Sequence, residues 1–465
     1  MKAYPRIVEI PYLSDSARRF ERLAERPWCI FLDSGRPRSA QGCYDILSAE
    51  PHTTLTTWGE NTEITSAEGT IVTREDPFAV LKRTLGERVP ALGGLPFSGG
   101  ALGYFSYDLG RRVERLPAIA KADVPMPDMA VGIYDWAIVV DHLERRAHIV
   151  TRGRDERTLD EWRSITEVAH AEMPVAYCPS FSVRSAVTAN MSKEQYARAF
   201  ARLKKYLRDG DCYQVNLAQR FSARAEGVAW DAYKYLRQLN PAPHAAFMLT
   251  PYGTVLSSSP ERFLKVDGGR VETKPIKGTR PRSEDPARDA ELAEELRASP
   301  KDRAENVMIV DLLRNDIGKE CRIGSVSVPS LFAIESFATV HHLVSTVTGE
   351  LDAGRHAVDL LRGCFPGGSI TGAPKVRAMQ IIEELEPHRR SVYCGAIGYV
   401  GHDGNMDTSI AIRTLVYCDG WMHAWAGGGI VMDSVMEAEY QESLDKAAAM
   451  LRLFMRTEDQ FVVHR

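Results

Sequence analysis

Asp302 and Glu305 open a strongly apolar segment, and Glu305 shares one helical face with Met308, Ile309 and Leu312 by the i, i+3, i+4, i+7 rule. A carboxylate on such a face is costly unless it is paired or binds a cation. A second segment sets Glu439 and Glu442 one helical turn apart, with Lys446 a turn further on. Carboxylates from two helices make an all-oxygen ligand set. That suits Mg2+, which binds few protein groups and completes its shell with water and substrate oxygens. First-turn acids also simply complement a helix dipole, and spacing alone favours that plainer reading.

Three more groups of residues bear on chemistry. Gly427, Gly428 and Gly429 follow the apolar strand 421–426 and directly precede the second acidic helix. Their backbone N–H groups could converge on an anion, although a tight turn or bulge explains them as well. Lys277 sits in Lys274-Pro275-Ile276-Lys277-Gly278-Thr279-Arg280. It is a nucleophile only if its pKa, ordinarily about 10.4, falls through burial or a neighbouring cation; a solvated loop lysine is the commoner case. Glu261, in Ser257-Ser258-Ser259-Pro260-Glu261-Arg262, is a possible partner for it or a solvated turn residue. In Ala338-Thr339-Val340-His341-His342-Leu343-Val344, strand alternation turns one histidine inward, either as a core residue or as a functional one.

The rest of the chain must position these groups. It has 465 residues, with 58 Lys plus Arg against 62 Asp plus Glu, hence a net charge of −4; 44% of residues are apolar and 26% charged. These proportions exclude a disordered or fibrous protein, and no broad positive field favours nucleic acid. None of the 8 cysteines falls in a CxxC or zinc-like spacing, so dispersed thiols in a reducing compartment are expected. No apolar h-region follows Met1 to Arg6, and no run approaches about 18 apolar residues. The expectation is a soluble, cytoplasmic protein with no membrane and no nucleic-acid partner.

Residues 1–150 read as strand-rich: Ile30 to Leu32, Thr53 to Trp58 and Ile133 to Val140, with Arg145 to Val150 as a hairpin return. Gly93 to Gly110 holds six glycines among aromatics without a Gly-x-Gly-x-x-Gly, which points to close backbone packing. Residues from about 170 to 190 look like a connector. Ser192 and Gln195 form a capping box for a helix that Asp209-Gly210 stops. Strands then arrive both in runs and alternating with helices. The predicted class is α+β with large, mostly antiparallel sheets, divided into an N-terminal β-rich part (1–170) and a catalytic region (190–465).

Several segments taken in order resemble the chorismate-utilising enzymes: Tyr213-Gln214-Val215-Asn216-Leu217, Ser258-Ser259-Pro260-Glu261, Pro275-Ile276-Lys277-Gly278-Thr279-Arg280 and Glu305-Asn306-Val307-Met308-Ile309-Val310-Asp311-Leu312. Gly368-Ser369-Ile370-Thr371-Gly372-Ala373-Pro374-Lys375, Gly427 to Val431 and Glu439-Tyr440-Gln441-Glu442 continue the series. The resemblance implies a β-sandwich core with helices packed outside, and chorismate as substrate. It also implies Mg2+ held by Glu305 and Glu442, with Glu439 and Asp302 nearby. Lys277 would attack ring C2 and Glu261 would serve as acid and then base. Tyr393 and Arg413 match carboxylate-binding positions, Gly427 to Gly429 another, and Gln214, His342, Thr371 and Lys446 line the pocket.

Two positions separate the branches of this family. Isochorismate and salicylate synthases carry a lysine base where this chain has Gln214, which argues against water addition. Anthranilate synthases typically read Pro-Ile-Ala-Gly-Thr where this chain has Lys277; the Pro-Ile-Lys-Gly-Thr form looks like the aminodeoxychorismate synthases of folate biosynthesis. Amination at C2, as in anthranilate synthases, and a non-catalytic chorismate-fold or tryptophan-binding protein stand as alternatives. Asp33, Ser34, Tyr44, Asp45, Asn240 and Pro241 resemble the family's tryptophan pocket, although Leu32-Asp33-Ser34-Gly35 departs from the feedback-regulated Leu-Leu-Glu-Ser form. No Gly-x-Cys-x-Gly elbow occurs, so ammonia is expected from a separate glutaminase subunit.

Overall fold

A computed structural model of the chain describes residues 4–37, 42–170, 180–337 and 340–454. Cys178, residues 171–179 of the expected connector, and Ala338 and Thr339 ahead of the two histidines lie outside these ranges. Two large sheets, of 13 and 12 strands, dominate the molecule. All pairings between their described strands are antiparallel.

The larger sheet runs in space from Arg6–Ile10 through Arg146–Thr151, Trp136–Asp141, Tyr44–Ser48 and Ile30–Asp33 to His244–Thr250 and Gly253–Ser259. It continues through Thr414–Cys418 and Trp421–Ile430 to Gln214–Glu226. The smaller sheet starts at Ile276–Pro281 and passes Val340–Glu350, Arg270–Thr273 and Arg262–Asp267. From there it crosses Met406–Ile410 and Ala396–Gly401 to the N-terminal strands Gly100–Phe105, Met129–Tyr134 and Thr53–Trp58. Each sheet thus takes strands from both sides of residue 190.

Alternation along the strands sorts side chains into two cores. In the larger sheet Ile30, Ile46, Val139, Met248 and Val416 face the smaller sheet, where Leu55, Val131, Ile133 and Val400 meet them. Their neighbours Phe31, Leu47, Ile138, Phe247 and Leu415 point the other way, onto Phe20, Trp230, Leu236 and Met450. Those last residues come from helices, so the larger sheet is covered on both faces. Full burial of each such side chain contributes about 1.5 to 3 kcal/mol.

The glycine-rich segment packs as its composition suggests. A methyl group at Gly100 would lie 2.4 Å from the Val400 carbonyl oxygen, and one at Gly103 would lie 2.2 Å from that of Ala130. The expected run Ile133 to Val140 is two strands, broken at Asp135, whose carboxylate accepts from Arg154 N, Asp155 N and Thr151 Oγ1. The predicted capping box at Ser192 is present, and Gly210, in the left-handed conformation, closes that helix.

Candidate active site

The acidic residues come from two helices. Pro300–Gly318 is capped by Ser299, whose Oγ accepts from Asp302 N. It buries Asn306, Ile309, Val310, Leu313 and Ile317 and leaves Glu305 half-buried at the rim. Met436–Phe454 opens with Glu437 and Glu439 in its first turn. Ser434 Oγ donates to Glu439 Oε1 at 2.7 Å and accepts from Val431 N at 3.1 Å, tying the helix start to the end of the strand before it.

That strand corrects the reading of the glycines. Gly427, Gly428 and Gly429 form neither a turn nor a nest. They lie within Trp421–Ile430, paired with Ala218, Leu217 and Asn216 of the 214–226 strand. Beyond Ala424 the other edge loses its partner, because Thr414–Cys418 pairs only as far as Leu415 with Ala424. Alternate N–H groups on that edge are therefore open to a ligand. The missing side chains make room: a methyl group at Gly428 would sit 3.1 Å from Glu439 Oε2 and 3.5 Å from Glu442 Oε1, and one at Gly429 would sit 2.7 Å from Gln214 Nε2. Gln214 is buried, and neither of its amide atoms has a partner among the described residues.

Lys277 lies on the edge strand Ile276–Pro281 rather than in a solvated loop, and its Nζ donates to Ser369 O at 3.1 Å. The next residue, Gly278, has φ 78, and a Cβ there would meet the Asp302 carboxylate at 2.9 Å. Glu261 is buried, and Lys277 is half-buried. Burial pushes the Glu261 carboxyl up, against the opposing pull of Lys277, Ser369 and Lys446. Burial pushes the Lys277 amine down, helped by the positive charge of Lys446 and opposed by Glu261, Glu305 and Glu442. Both groups are driven toward their neutral forms, a proton on Glu261 and none on Lys277.

Glu305 is raised by burial, with Asp302 and Glu439 adding like-charge repulsion. Glu439 is raised by burial and by Glu442. Glu442 is held down mainly by Lys446, whose Nζ pairs with it at 2.6 Å and donates to Gly427 O at 3.2 Å. Among the described residues no three acidic, His or Cys side chains already converge on one point. The donor chemistry nevertheless fits Mg2+: carboxylates that repel one another around a glycine gap favour a hard cation that needs only one or two of them. Asp302, whose charge adds to the repulsion at Glu305, is itself paired with Arg280 at 3.2 Å.

The remaining pocket residues are placed as follows. His341 and His342 are both buried, a correction to the one-inward expectation. His341 bonds to Asp289, on the helix Pro286–Ala298, and to Ser336. His342 bonds to Thr279 Oγ1 at 2.9 Å, and burial together with the charge of Arg413 pushes it down to about 4. Tyr393 stacks on Trp425 with ring centroids 6.2 Å apart and an interplanar angle of 7°. Thr371 Oγ1 donates to Gly367 O at 3.0 Å, so its hydroxyl hydrogen braces the turn. Arg413 has no side-chain hydrogen bond or ion pair among the described residues, and burial lowers its pKa.

Two groups went unassigned in the sequence. Ser369 lay inside a recognised motif with no role given to it. The Arg390–Glu386 pair, at i, i+4 spacing, is fully buried and welds the site together. Arg390 donates to Glu386, Ile370 O and Asn216 O, and Glu386 accepts from Ala218 N. Hydrophobic surroundings and i, i+4 spacing are visible in sequence, but the two backbone carbonyls that complete the set are not.

Among the residues expected to form a tryptophan pocket, Asp33 lines two voids. Asp33 and Tyr44 line a cavity of about 330 Å3 between the sheets. Ser34 bonds to Asp45 through its N and Oγ, and Asp45 accepts from or pairs with His142 at 2.7 Å. The Asp33 carboxylate is engaged by Arg237 and Tyr233. Asn240 donates to Ser258, and Pro241 lines a smaller void with Asp33.

The family profile described as chorismate binding enzyme matches residues 29–452. The chain is 49% identical, over 96% of its length and 98% of the relative's, to aminodeoxychorismate synthase component 1 of Escherichia coli. It is 40% identical to anthranilate synthase component 1 of Thermus thermophilus, over 93% of each chain. Among solved structures, anthranilate synthase component I of Streptococcus pneumoniae superposes with a TM-score of 0.80 at 32% identity, covering 89% of this chain and 93% of that one.

Proposed function

The chain belongs to the chorismate binding enzymes, and from that membership we propose that it aminates chorismate at ring carbon 4, giving 4-amino-4-deoxychorismate. The observation that carries this reading is the pair Lys277 and Glu261, close enough for each to pull on the other's charge and both biased toward neutrality by desolvation. A neutral amine beside a protonated carboxyl is a nucleophile beside an acid.

The Lys277 amine attacks ring C2, the double bond shifts, and the C4 hydroxyl leaves as water with the proton from Glu261. Ammonia then adds at C4, the double bond returns, and the lysine departs from C2. The Glu261 carboxylate takes the proton that the incoming nitrogen sheds, so the acid is restored. Arg413 and Tyr393 hold the enolpyruvyl carboxylate, and the open amides along Gly427 to Gly429 hold another substrate carboxylate. Lys446 and the buried Gln214 and His342 border the pocket. Neutral His342 adds no charge of its own beside Arg413.

Mg2+ would be held by Glu305 and Glu442, with Glu439 and Asp302 nearby, and when bound supplies Lewis-acid polarisation of the ring carboxylate. Ammonia comes from a separate glutaminase subunit, in keeping with the relatives' designation as component 1. The described cysteines are free thiols, and burial raises those at Cys29, Cys364 and Cys394, which suits none of them to a glutaminase nucleophile. Free thiols also suit a reducing, cytoplasmic setting, and no helix among the described residues is long and apolar enough to cross a membrane. The cavity lined by Asp33 and Tyr44 falls in the size range of small-molecule sites and is the place where tryptophan would bind.

Chromatography of the product from chorismate, Mg2+ and ammonium tests the reading. The expected product is 4-amino-4-deoxychorismate, lost in K277A; anthranilate with pyruvate would overturn it in favour of amination at C2.

A further inference from the structure

The helix Pro300–Gly318 carries Glu305 near its start and Asp316 about three turns further along the same face. Asp316 is buried, and its Oδ2 lies 2.6 Å from Lys375 Nζ, on a side chain only 10% exposed. The same ammonium donates to Cys364 O at 2.8 Å, at the end of the helix Ala357–Cys364. Lys375 itself opens the helix Lys375–Leu385, so one side chain joins the ends of three helices. Between Cys364 and Lys375 runs the segment that holds the Lys277 amine, through Ser369 O at 3.1 Å. That segment packs on the Glu305 helix: a methyl group at Gly368 would lie 2.6 Å from Leu312 Cδ2 and 3.6 Å from Asp316 Oδ2. Arg390 and the Thr371 hydroxyl fix the shape of the turn within the segment, through Ile370 O and Gly367 O. Neither of those contacts reaches the Glu305 helix; the Lys375–Asp316 pair does.

We propose that Lys375 and Asp316 are positioning residues whose ion pair sets the Lys277 amine against Glu305. Lys375 clips the 364–375 segment closed at its two ends, and Asp316 seats the closed segment on the helix. The Ser369 carbonyl then keeps a fixed place relative to the carboxylate end of that helix, and the Lys277 amine keeps it too. Both residues act through that carbonyl rather than on the substrate. The inference rests on the assignment of Lys277 as the nucleophile. A buried ion pair adds little stability over an apolar pair of the same volume. What it adds here is a single position, because an ammonium held between a carboxylate and a carbonyl cannot slide as an apolar contact can. A nucleophile displaced by about 1 Å loses on the order of a hundredfold in rate. The groups given to the substrate carboxylates, Arg413 and the amides of Gly427 to Gly429, lie outside the 364–375 segment, so substrate binding should not depend on the pair.

The test compares D316N, K375M and D316L/K375M with the unchanged full-length enzyme, assayed with chorismate, Mg2+ and ammonium. A thermal melt of each gives the folded fraction at the assay temperature, and each rate is referred to that fraction. D316N leaves the Lys375 ammonium without its anion, and K375M leaves Asp316 with only the exposed Lys319. Both single variants should melt lower and turn over more slowly. D316L/K375M removes both buried charges, so its melting temperature should return to about that of the unchanged enzyme. Its kcat should stay down about tenfold or more, with the KM for chorismate within about twofold. Stability regained without turnover is a result that a merely structural pair does not give. Turnover that recovers together with the melting temperature overturns the inference, and so does a loss confined to KM. If the double variant does not fold, D316N decides: an unreduced kcat per folded molecule overturns the inference, and a tenfold fall with KM unmoved upholds it. Failure of all three variants to fold overturns it as well, because the pair is then a requirement of the fold. K277A separates the two levels. Full product formation in K277A overturns the assignment of the nucleophile, whereas an inactive K277A with an unreduced kcat in D316L/K375M overturns the role of the pair alone.

Discussion

Arg413 holds a left-handed backbone conformation, φ 52, which few non-glycine residues adopt, and its N-terminal neighbours enter from the smaller sheet while Thr414 begins a strand of the larger one. Backbone strain of this kind persists where the surroundings over-determine it and is common at functional sites. Its side chain has no anionic partner among the described residues, whereas the buried Arg390, Arg237 and Arg220 each have one. A desolvated guanidinium without a counter-ion is poised for a substrate carboxylate, and its planar fork fits that group better than an ammonium does. We expect R413K to raise the KM for chorismate about tenfold, the worth of roughly one charge-assisted bond, with the melting temperature nearly unchanged. Steady-state kinetics with a parallel thermal melt checks this. A KM equal to that of the unchanged enzyme would remove Arg413 from the binding set.

At the scale of elements, the strand Trp421–Ile430 and the helix after it divide the work of the site. Gly427 faces backbone: a methyl group there would lie 2.3 Å from Leu217 O and 2.6 Å from Ala218 Cα. Gly428 faces the carboxylate ends of Glu439 and Glu442 instead. G427A should therefore force Trp421–Ile430 and Gln214–Glu226 apart and cost about 1 to 3 kcal/mol, read as a lower denaturation midpoint. G428A should keep the fold and raise the Mg2+ concentration needed for half-maximal rate. The opposite pattern would mean that the strand, and not the metal ligands, sets the need for glycine at 428. The same strand marks where sequence reasoning reached its end. The capping box at Ser192 was legible because it depends on residues a few positions apart. Three consecutive glycines read as a turn, because the reason for them lies across space: in Leu217 O, in Gln214 and in two glutamates on a helix that comes later. Lys277 and Glu261 looked like loop residues for the same cause, since nothing local announces that Lys277 reaches the Ser369 carbonyl, 92 residues away. Strand alternation left one of the two histidines to face solvent, because the helix that covers His341, through Asp289, is 52 residues away in sequence.

For the molecule as a whole, the division near residue 190 is not a line along which the sheets separate. Ile30–Asp33 pairs with His244–Thr250, and Gly100–Phe105 pairs with Ala396–Gly401, so each sheet is stitched across that point. The main core likewise joins Leu55, Phe78 and Val131 to Phe263, Val347 and Leu361. We expect a fragment spanning 190–465 to contain every proposed catalytic residue and still fail to fold alone. Circular dichroism on heating would then show no cooperative transition, and chorismate with ammonium would give no product. A sharp melt or measurable turnover from that fragment would show that the catalytic region is self-sufficient.

The order of strands has a further consequence for how the chain is made. Four strands late in the sequence, Ala396–Gly401, Met406–Ile410, Thr414–Cys418 and Trp421–Ile430, pair respectively with Gly100–Phe105, Arg262–Asp267, Gly253–Ser259 and Gln214–Glu226. They also pair with one another within each sheet. Until they leave the ribosome, the nascent chain holds blocks of finished sheet with four unpaired edges, each long enough to recruit a strand from another molecule. Synthesis thus passes through a long interval in which the protein is most of its final mass and least protected against its own copies. The strands between Ala396 and Ile430 act as a zip that closes both sheets at once, and slow translation just before residue 396 would lengthen the period in which a chaperone has to stand in for them.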